Sequence, residues 1–373
     1  MKKININIKI IVLAAFMLFL VACGNKNTSH QVKSTTIETE KGIQTFRKAI
    51  KTIDDMGFKN EYIEVEEEME KVFVIKYLEN KTVLATKGEE TFYLNLETGE
   101  REKVDLGGAD LLNKSENYAV FADVKKPQEG FKILNIKDRT LTEVPLSEEI
   151  KKFIKEKEVF IGQIMITDKN VALEMPTKDG ESIYTALYNI ENKEFSEPIE
   201  GGFYQEIAGK GYTFKKEEGK YALLDENGIS KINVEGLMIL DSEPTGFIMA
   251  YAPAESRTIL YKLTDELKLE ELYLAVAKDN EDLYDFGIYA QDVSEEYLVP
   301  TIMNRETGEQ YIYNRKEDCF VKISNEKKNI ITDIRKGLGD EILLIKYEYS
   351  DGEGTTKNPY KSSKFVGAEL LSK

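Results

Sequence analysis

Histidine is almost missing from this chain of 373 residues: the single copy, His30, lies in a polar stretch near the N-terminus. Without an imidazole elsewhere, Ser-His-Asp hydrolysis, Cys-His nucleophilic catalysis and His-ligated zinc, copper or iron are excluded unless a partner supplies the ring. Tryptophan is absent, which weakens any sugar-stacking platform. Basic charge is short, with 51 Lys and Arg against 67 Asp and Glu and a formal net charge of −16. Such a surface repels phosphate backbones and anionic headgroups, so nucleic acid is not an expected partner. No glycine-rich phosphate loop joins a strand to a helix; Gly107-Gly108 and Gly201-Gly202 read as turns between strand groups.

What the chain has in quantity is one repeated unit. Thr91 to Val104 reads TFYLNLETGEREKV, in which Phe92, Leu94 and Leu96 alternate with Tyr93 and Asn95. That period of two is a strand with two different faces, and Gly99 supplies the positive φ needed to reverse the chain. Echoes begin at Lys132, Ala186, Tyr221, Ile259 and Tyr311, each a strand, a polar turn and a strand. The turns open at Glu97, Lys137, Glu191, Asp225, Thr264 and Arg315, at intervals of 40, 54, 34, 39 and 51 residues. Repeats of about 40 to 50 residues with four strands apiece mark a β-propeller.

The expected fold is therefore all-β: a propeller of four-stranded antiparallel blades over residues 60–373, seven by count, with six or eight as alternatives. The last group, from Ile330, is one strand short, and Tyr62 to Glu66 is the expected donor that closes the ring. Ser147 to Glu158 has acids early, lysines late and Ile150, Phe153 and Ile154 on one face. It reads as an inserted helix and accounts for the 54-residue interval. Ile43, Phe46, Ile50, Ile53 and Met56 recur at steps of three and four, so an amphipathic helix is expected over 39–57, ahead of the first blade.

The first 22 residues stand apart. Lys2, Lys3 and Lys9 form a basic head, Ile10 to Val21 is an apolar run too short to span a bilayer with ordinary flanks, and Leu20-Val21-Ala22-Cys23 follows, then Gly24. This resembles the lipobox of bacterial lipoproteins. The resemblance implies a signal peptide over 1–22, cleavage before Cys23 and a diacylglycerol thioether on Cys23. It places the folded part outside the cytoplasm, on a cell membrane, held by acyl chains that contribute about 0.8 kcal/mol per buried CH₂. Residues 23–38 would be the lipidated cysteine and a flexible tether. Loss of the leader would leave the chain three charges more negative. Outer-membrane assembly propellers are lipoproteins of similar plan, and the absence of tryptophan departs from their tryptophan-bearing repeats.

Once Cys23 is modified, Cys319 is the remaining thiol; alternation in DCFVKI puts it on one face with Val321 and Ile323, as a packed and inert side chain. Asp279, Glu281, Asp282 and Asp285 could offer oxygens to calcium, but they lack the spacing and turn glycine of a calcium loop and read as a solvated connection. No catalytic, metal-binding or cofactor-binding residue is singled out. The expected function is that of a membrane-anchored extracytoplasmic lipoprotein whose propeller is a non-enzymatic binding or scaffolding module for another cell-envelope protein or polymer. Two alternatives are a carboxylate-dependent hydrolase or lyase acting on cell-wall polymer, and a transporter-linked solute receptor, which needs a two-lobed α/β pattern not found here.

Overall fold

The repeated hairpin is specified by its own turn. In the computed structural model, Asn95 Oδ1 accepts the backbone N–H groups of Glu97 and Thr98, both at 3.0 Å, and Gly99 sits at φ +69°. A short polar side chain that bonds the backbone two and three residues on closes the reversal without long-range help. The same device recurs at Asn135, which accepts from Asp138 at 3.0 Å, at Asn189, which accepts from Asn192 at 2.8 Å, and at Asn314, which accepts from Glu317 at 2.8 Å. Asp225 does likewise for Asn227 and Ile229, at 3.0 and 2.9 Å.

The structure describes residues 50–373 apart from 64–68, 71, 89, 218–219, 253–256, 275–283, 293–295, 305–309, 315, 318, 324–329 and 350–362. Seven antiparallel sheets follow one another over residues 72–104, 110–144, 163–200, 202–234, 238–274, 284–323 and 330–372, and are numbered here as blades 1 to 7. Blade 1 has the four strands expected: Val72–Tyr77, Thr82–Lys87, Glu90–Asn95 and Arg101–Val104. Blade 7 supplies three strands of its own. Its fourth is Lys59–Ile63, antiparallel to Ser363–Ser372, with Lys59 opposite Ser372 and Ile63 opposite Ala368. The ring is thus closed by a strand from the start of the domain, a few residues earlier than the expected Tyr62 to Glu66.

Blade-to-blade packing buries what one sheet cannot. Ile63, Val72, Val74, Leu343, Ile345 and Phe365 join blades 7 and 1 in one apolar cluster. Across the same seam, Val74 N–H donates to the Tyr347 hydroxyl at 3.1 Å. Comparable clusters join blades 1 and 2, 2 and 3, 4 and 5, and 6 and 7, while Met165, Ala172 and Tyr204 join blades 3 and 4. The first strands of blades 5 and 6 also meet. Each large apolar side chain enclosed in these seams contributes roughly 1.5–3 kcal/mol, so the wedges between blades are the core. Cys319 lies among them, 1% exposed, beside Val321 and Ile323 as the alternation requires.

The inserted helix is present as Glu148–Lys157, capped by Ser147 Oγ, which accepts the Ile150 N–H at 3.3 Å. Ile150, Phe153 and Ile154 pack onto the cluster between blades 2 and 3. The helix expected over 39–57 is corrected where it can be seen. Ile50–Thr52 is a strand, parallel to the outer strand of blade 6, with Ile50 opposite Phe320 and Thr52 opposite Lys322. A single turn follows, closed by Thr52 N–H to Asp55 Oδ2 at 2.8 Å and Asp55 N–H to Thr52 Oγ1 at 3.1 Å. Ile53, Met56 and Phe58 drop from that turn into the seam between blades 6 and 7. Spacings of three therefore arise here from one capped turn, a pattern that periodicity over so short a window does not separate from a helix. Residues 39–49 lie outside the described residues, as does Cys23.

Candidate functional site

Because consecutive strands of a blade run antiparallel, the turns joining strands one and two and those joining strands three and four lie on the same face. The repeat ties these two kinds of turn together. The residues after Asn95, Asn135 and Asn189 donate their N–H to the turn between strands one and two: Leu96 to Lys81 O at 2.9 Å, Ile136 to Asn117 O at 2.9 Å and Ile190 to Lys169 O at 2.8 Å. The inner turns are thereby fixed at the rim of the ring, where side chains of different blades meet.

At this rim Glu116, in the inner turn of blade 2, lies between two amines. Lys76 Nζ of blade 1 is 3.1 Å from Oε1, and Lys336 Nζ of blade 7 is 3.2 Å from Oε2. Lys76 also donates to the Glu116 backbone carbonyl, and Lys114 donates to the carbonyl of Ile75. Burial holds the Lys76 amine below the usual lysine range, against the opposing pull of Glu116. Burial alone would raise the Glu116 carboxyl, yet Lys76 and then Lys336 hold it below the usual carboxylate range.

The flanks of Glu116 are gripped from the other side by Asp168 of blade 3. Ser115 Oγ donates to Asp168 Oδ1 at 2.7 Å; Asn117 donates to the carboxylate from its N–H at 2.9 Å and its side-chain amide at 2.7 Å. Further round, Thr167 Oγ1 donates to the Glu206 carboxylate, which also receives Asn170 Nδ2 at 3.4 Å and the Tyr204 hydroxyl at 3.5 Å. Glu206 N–H then donates to Pro244 O of blade 5 at 2.7 Å. Polar contacts thus link the rim from blade 7 through blades 1 to 5.

Below the Glu206 station a carboxyl is shut inside the seam of blades 3 and 4. Glu174 is 5% exposed, and its Oε1 accepts the Tyr204 N–H at 2.8 Å. Burial pushes this carboxyl up from 4.5 to about 7, with the bonds from Tyr204 and Phe203 opposing. The bonds serve a bulge in blade 4 between Gly202 and Gln205, where Phe203 takes φ +52°, a left-handed conformation costly for a bulky residue. Glu174 thus has a structural task there.

On the opposite face, a cleft of about 490 Å³ lies on blade 2, lined in part by Asp123, Lys126, Glu129, Lys132, Glu143 and Pro145. Four of these charged side chains pair, Lys126 with Glu129 at 3.1 Å and Lys132 with Glu143 at 2.8 Å.

None of the rim residues was singled out by sequence reasoning. The one signal that could have found them is the short polar turn between the first and second strands of each copy. Arg335, on the first strand of blade 7, pairs with Asp333 at 2.8 Å. Of the acidic cluster, Asp279, Glu281 and Asp282 lie outside the described residues, and Asp285 is on the strand Tyr284–Asp292. Among the described residues no helix is long and apolar enough to cross a membrane, and no group of three or more His, Cys, Asp or Glu is placed to hold a metal.

Sheet order and register define a seven-bladed β-propeller. No protein-family model matches the chain, and neither does any curated protein. Solved structures do superpose on it. A streptogramin B lyase is 10% identical, over 84% of this chain and 98% of that one, with a TM-score of 0.43. The β-propeller domain of Cps50 (Swd1) from Myceliophteria thermophila is 9% identical, over 84% of this chain and 100% of that one, with a TM-score of 0.46. An acylaminoacyl peptidase from Pyrococcus horikoshii is 12% identical, over 76% of this chain and 53% of that one, with a TM-score of 0.47. Likeness at this level carries no argument about activity.

Proposed function

We propose that this protein is a lipoprotein, anchored through Cys23 on the outer face of a bacterial membrane, whose propeller is a non-enzymatic binding module for another cell-envelope component. The observation that carries the binding role is the rim itself. Amines of blades 7 and 1 converge on one carboxylate of blade 2, in a turn whose flanks Asp168 holds, a preorganised polar surface of the kind that recognition uses. The leader supports the anchor, since a basic head, a short apolar run and LVAC ahead of Gly24 stand in the order that lipidation requires.

In-cell crosslinking of the full chain, with Cys23→Ala alongside, tests both parts. The expected outcome is a reproducible envelope partner that is lost in the variant, together with loss of palmitate labelling. Labelling that persists in Cys23→Ala would remove the anchor. Capture of nothing by the parent chain, with turnover on a panel of cell-wall glycans, would replace the module with an enzyme.

A further inference from the structure

Glu116 occupies a place that two other blades have built. Each of its carboxylate oxygens has its own amine, Lys76 at 3.1 Å and Lys336 at 3.2 Å. The Lys76 side chain is only 15% exposed, and so needs an anion beside it, whereas the Glu116 side chain is 51% exposed and open to exchange with solvent. The turn that carries Glu116 has a hold besides those lysines, because Asp168 grips Ser115 and Asn117 on either side of it. Lys76 touches both the carboxylate and the Glu116 carbonyl, but with Asp168 holding the flanks of the turn the carboxylate can leave while the backbone stays.

We propose that the Glu116 carboxylate is a resident self-ligand of an anion subsite formed by Lys76 and Lys336, and that a carboxylate-bearing ligand binds the rim by displacing it. The proposal deepens the rim reading above and rests on it. A carboxylate suits the subsite better than a phosphate or sulfate. Two oxygens meet two amines, and the further oxygens of a tetrahedral anion would compete for a Lys76 amine already shared with the Glu116 carbonyl. The carboxylate has two natural sources, a free small dicarboxylate or an acidic side chain on a peptide.

Titration calorimetry on the full chain and on Glu116→Ala tests this, with glutarate, the peptide acetyl-Ser-Glu-Asn-amide, its Gln counterpart and inorganic phosphate as probes. Vacating the subsite is expected to tighten glutarate binding at least about tenfold over the parent chain. Adding Lys76→Gln to Glu116→Ala should abolish it. If the Glu peptide binds and its Gln counterpart does not, the source is an acidic side chain; binding of glutarate alone makes it a small molecule. Should Glu116→Ala unfold, Glu116→Gln keeps the shape without the charge and carries the same expectation.

The idea is overturned if neither variant binds glutarate or the Glu peptide more tightly than the parent chain, if Lys76→Gln leaves binding intact, or if phosphate competes equally. An in-cell partner captured despite such a failure would keep the binding module and remove only the self-ligand. Glutarate binding without any captured partner would do the reverse.

Discussion

On the rim face the chain reverses through short turns that asparagine side chains close, and the inner and outer turns of a blade are bonded to one another. On the opposite face it wanders: there lie the capped helix Glu148–Lys157, the 3₁₀ turn Pro127–Glu129 and a cleft lined by the pairs Lys126–Glu129 and Lys132–Glu143. Regularity and chemistry are thus found together. Where local bonds fix every turn, side chains from several blades are delivered to common points, and the unequal grouping of two amines on one carboxylate becomes possible. Where the loops vary, the ion pairs that line the cleft are made within one blade.

The comparison can be broken by substitution, and the largest effect is expected on the irregular face. Gly130, at φ +119°, would place a Cβ 2.2 Å from Val144 O and 2.8 Å from Pro145 Cα. Both are backbone positions that cannot step aside. Gly130→Ala should cost about 3 kcal/mol or more, read from urea unfolding.

A comparable effect is tied to pH. The Glu174 carboxyl, raised from 4.5 to about 7, is protonated in folded and unfolded chains alike at low pH. As pH rises from 4.5 towards 7 the unfolded chain ionises first, so stability falls across that window by on the order of 3 kcal/mol and is flat above it. Glu174→Gln should remove most of that slope in melting temperature. Asp241, also raised by burial, leaves a remnant of the same sign. Glu116, held low by its lysines, contributes the opposite sign, stability that is lost as pH falls through its folded value.

On the rim, Asp168→Ala removes three hydrogen bonds from an exposed carboxylate and should cost about 1–2 kcal/mol. It should also loosen the turn carrying Glu116, visible as faster amide exchange at Ser115 to Asn117. The smallest effect is expected from Gly99→Ala. A Cβ there meets nothing within 4 Å, so only the positive φ of +69° is penalised, by about 1 kcal/mol. A cost for Gly99→Ala equal to that of Gly130→Ala would dissolve the contrast between the faces.

Much of the fold was legible because its causes are local. Alternation at Phe92, Leu94 and Leu96 located a strand, the intervals between turns counted the blades, and the shortfall after Ile330 announced a strand lent from the start of the domain. The segment from Ile50 to Met56 was misread because a strand pairs it with blade 6 and a single turn sets Ile53 and Met56 against the seam of blades 6 and 7, contacts no local window contains. The rim escaped for a related reason. Lys76, Glu116 and Lys336 are 40 and 220 residues apart, and a lysine or glutamate in a polar turn looks the same whether or not a partner awaits it.

By itself, then, the sequence determined the blade and its repetition, since pleat alternation, asparagine turns and positive-φ glycines act within about ten residues of each other. It likewise set the chemistry withheld from the domain, through the lone His30. Tertiary structure alone decided which strand closes the ring at Ala368 and which turns face one another across it. Only there did it become settled that a carboxylate of blade 2 lies between amines of blades 1 and 7. Those outcomes depend on ring closure, which brings together residues that no local periodicity relates.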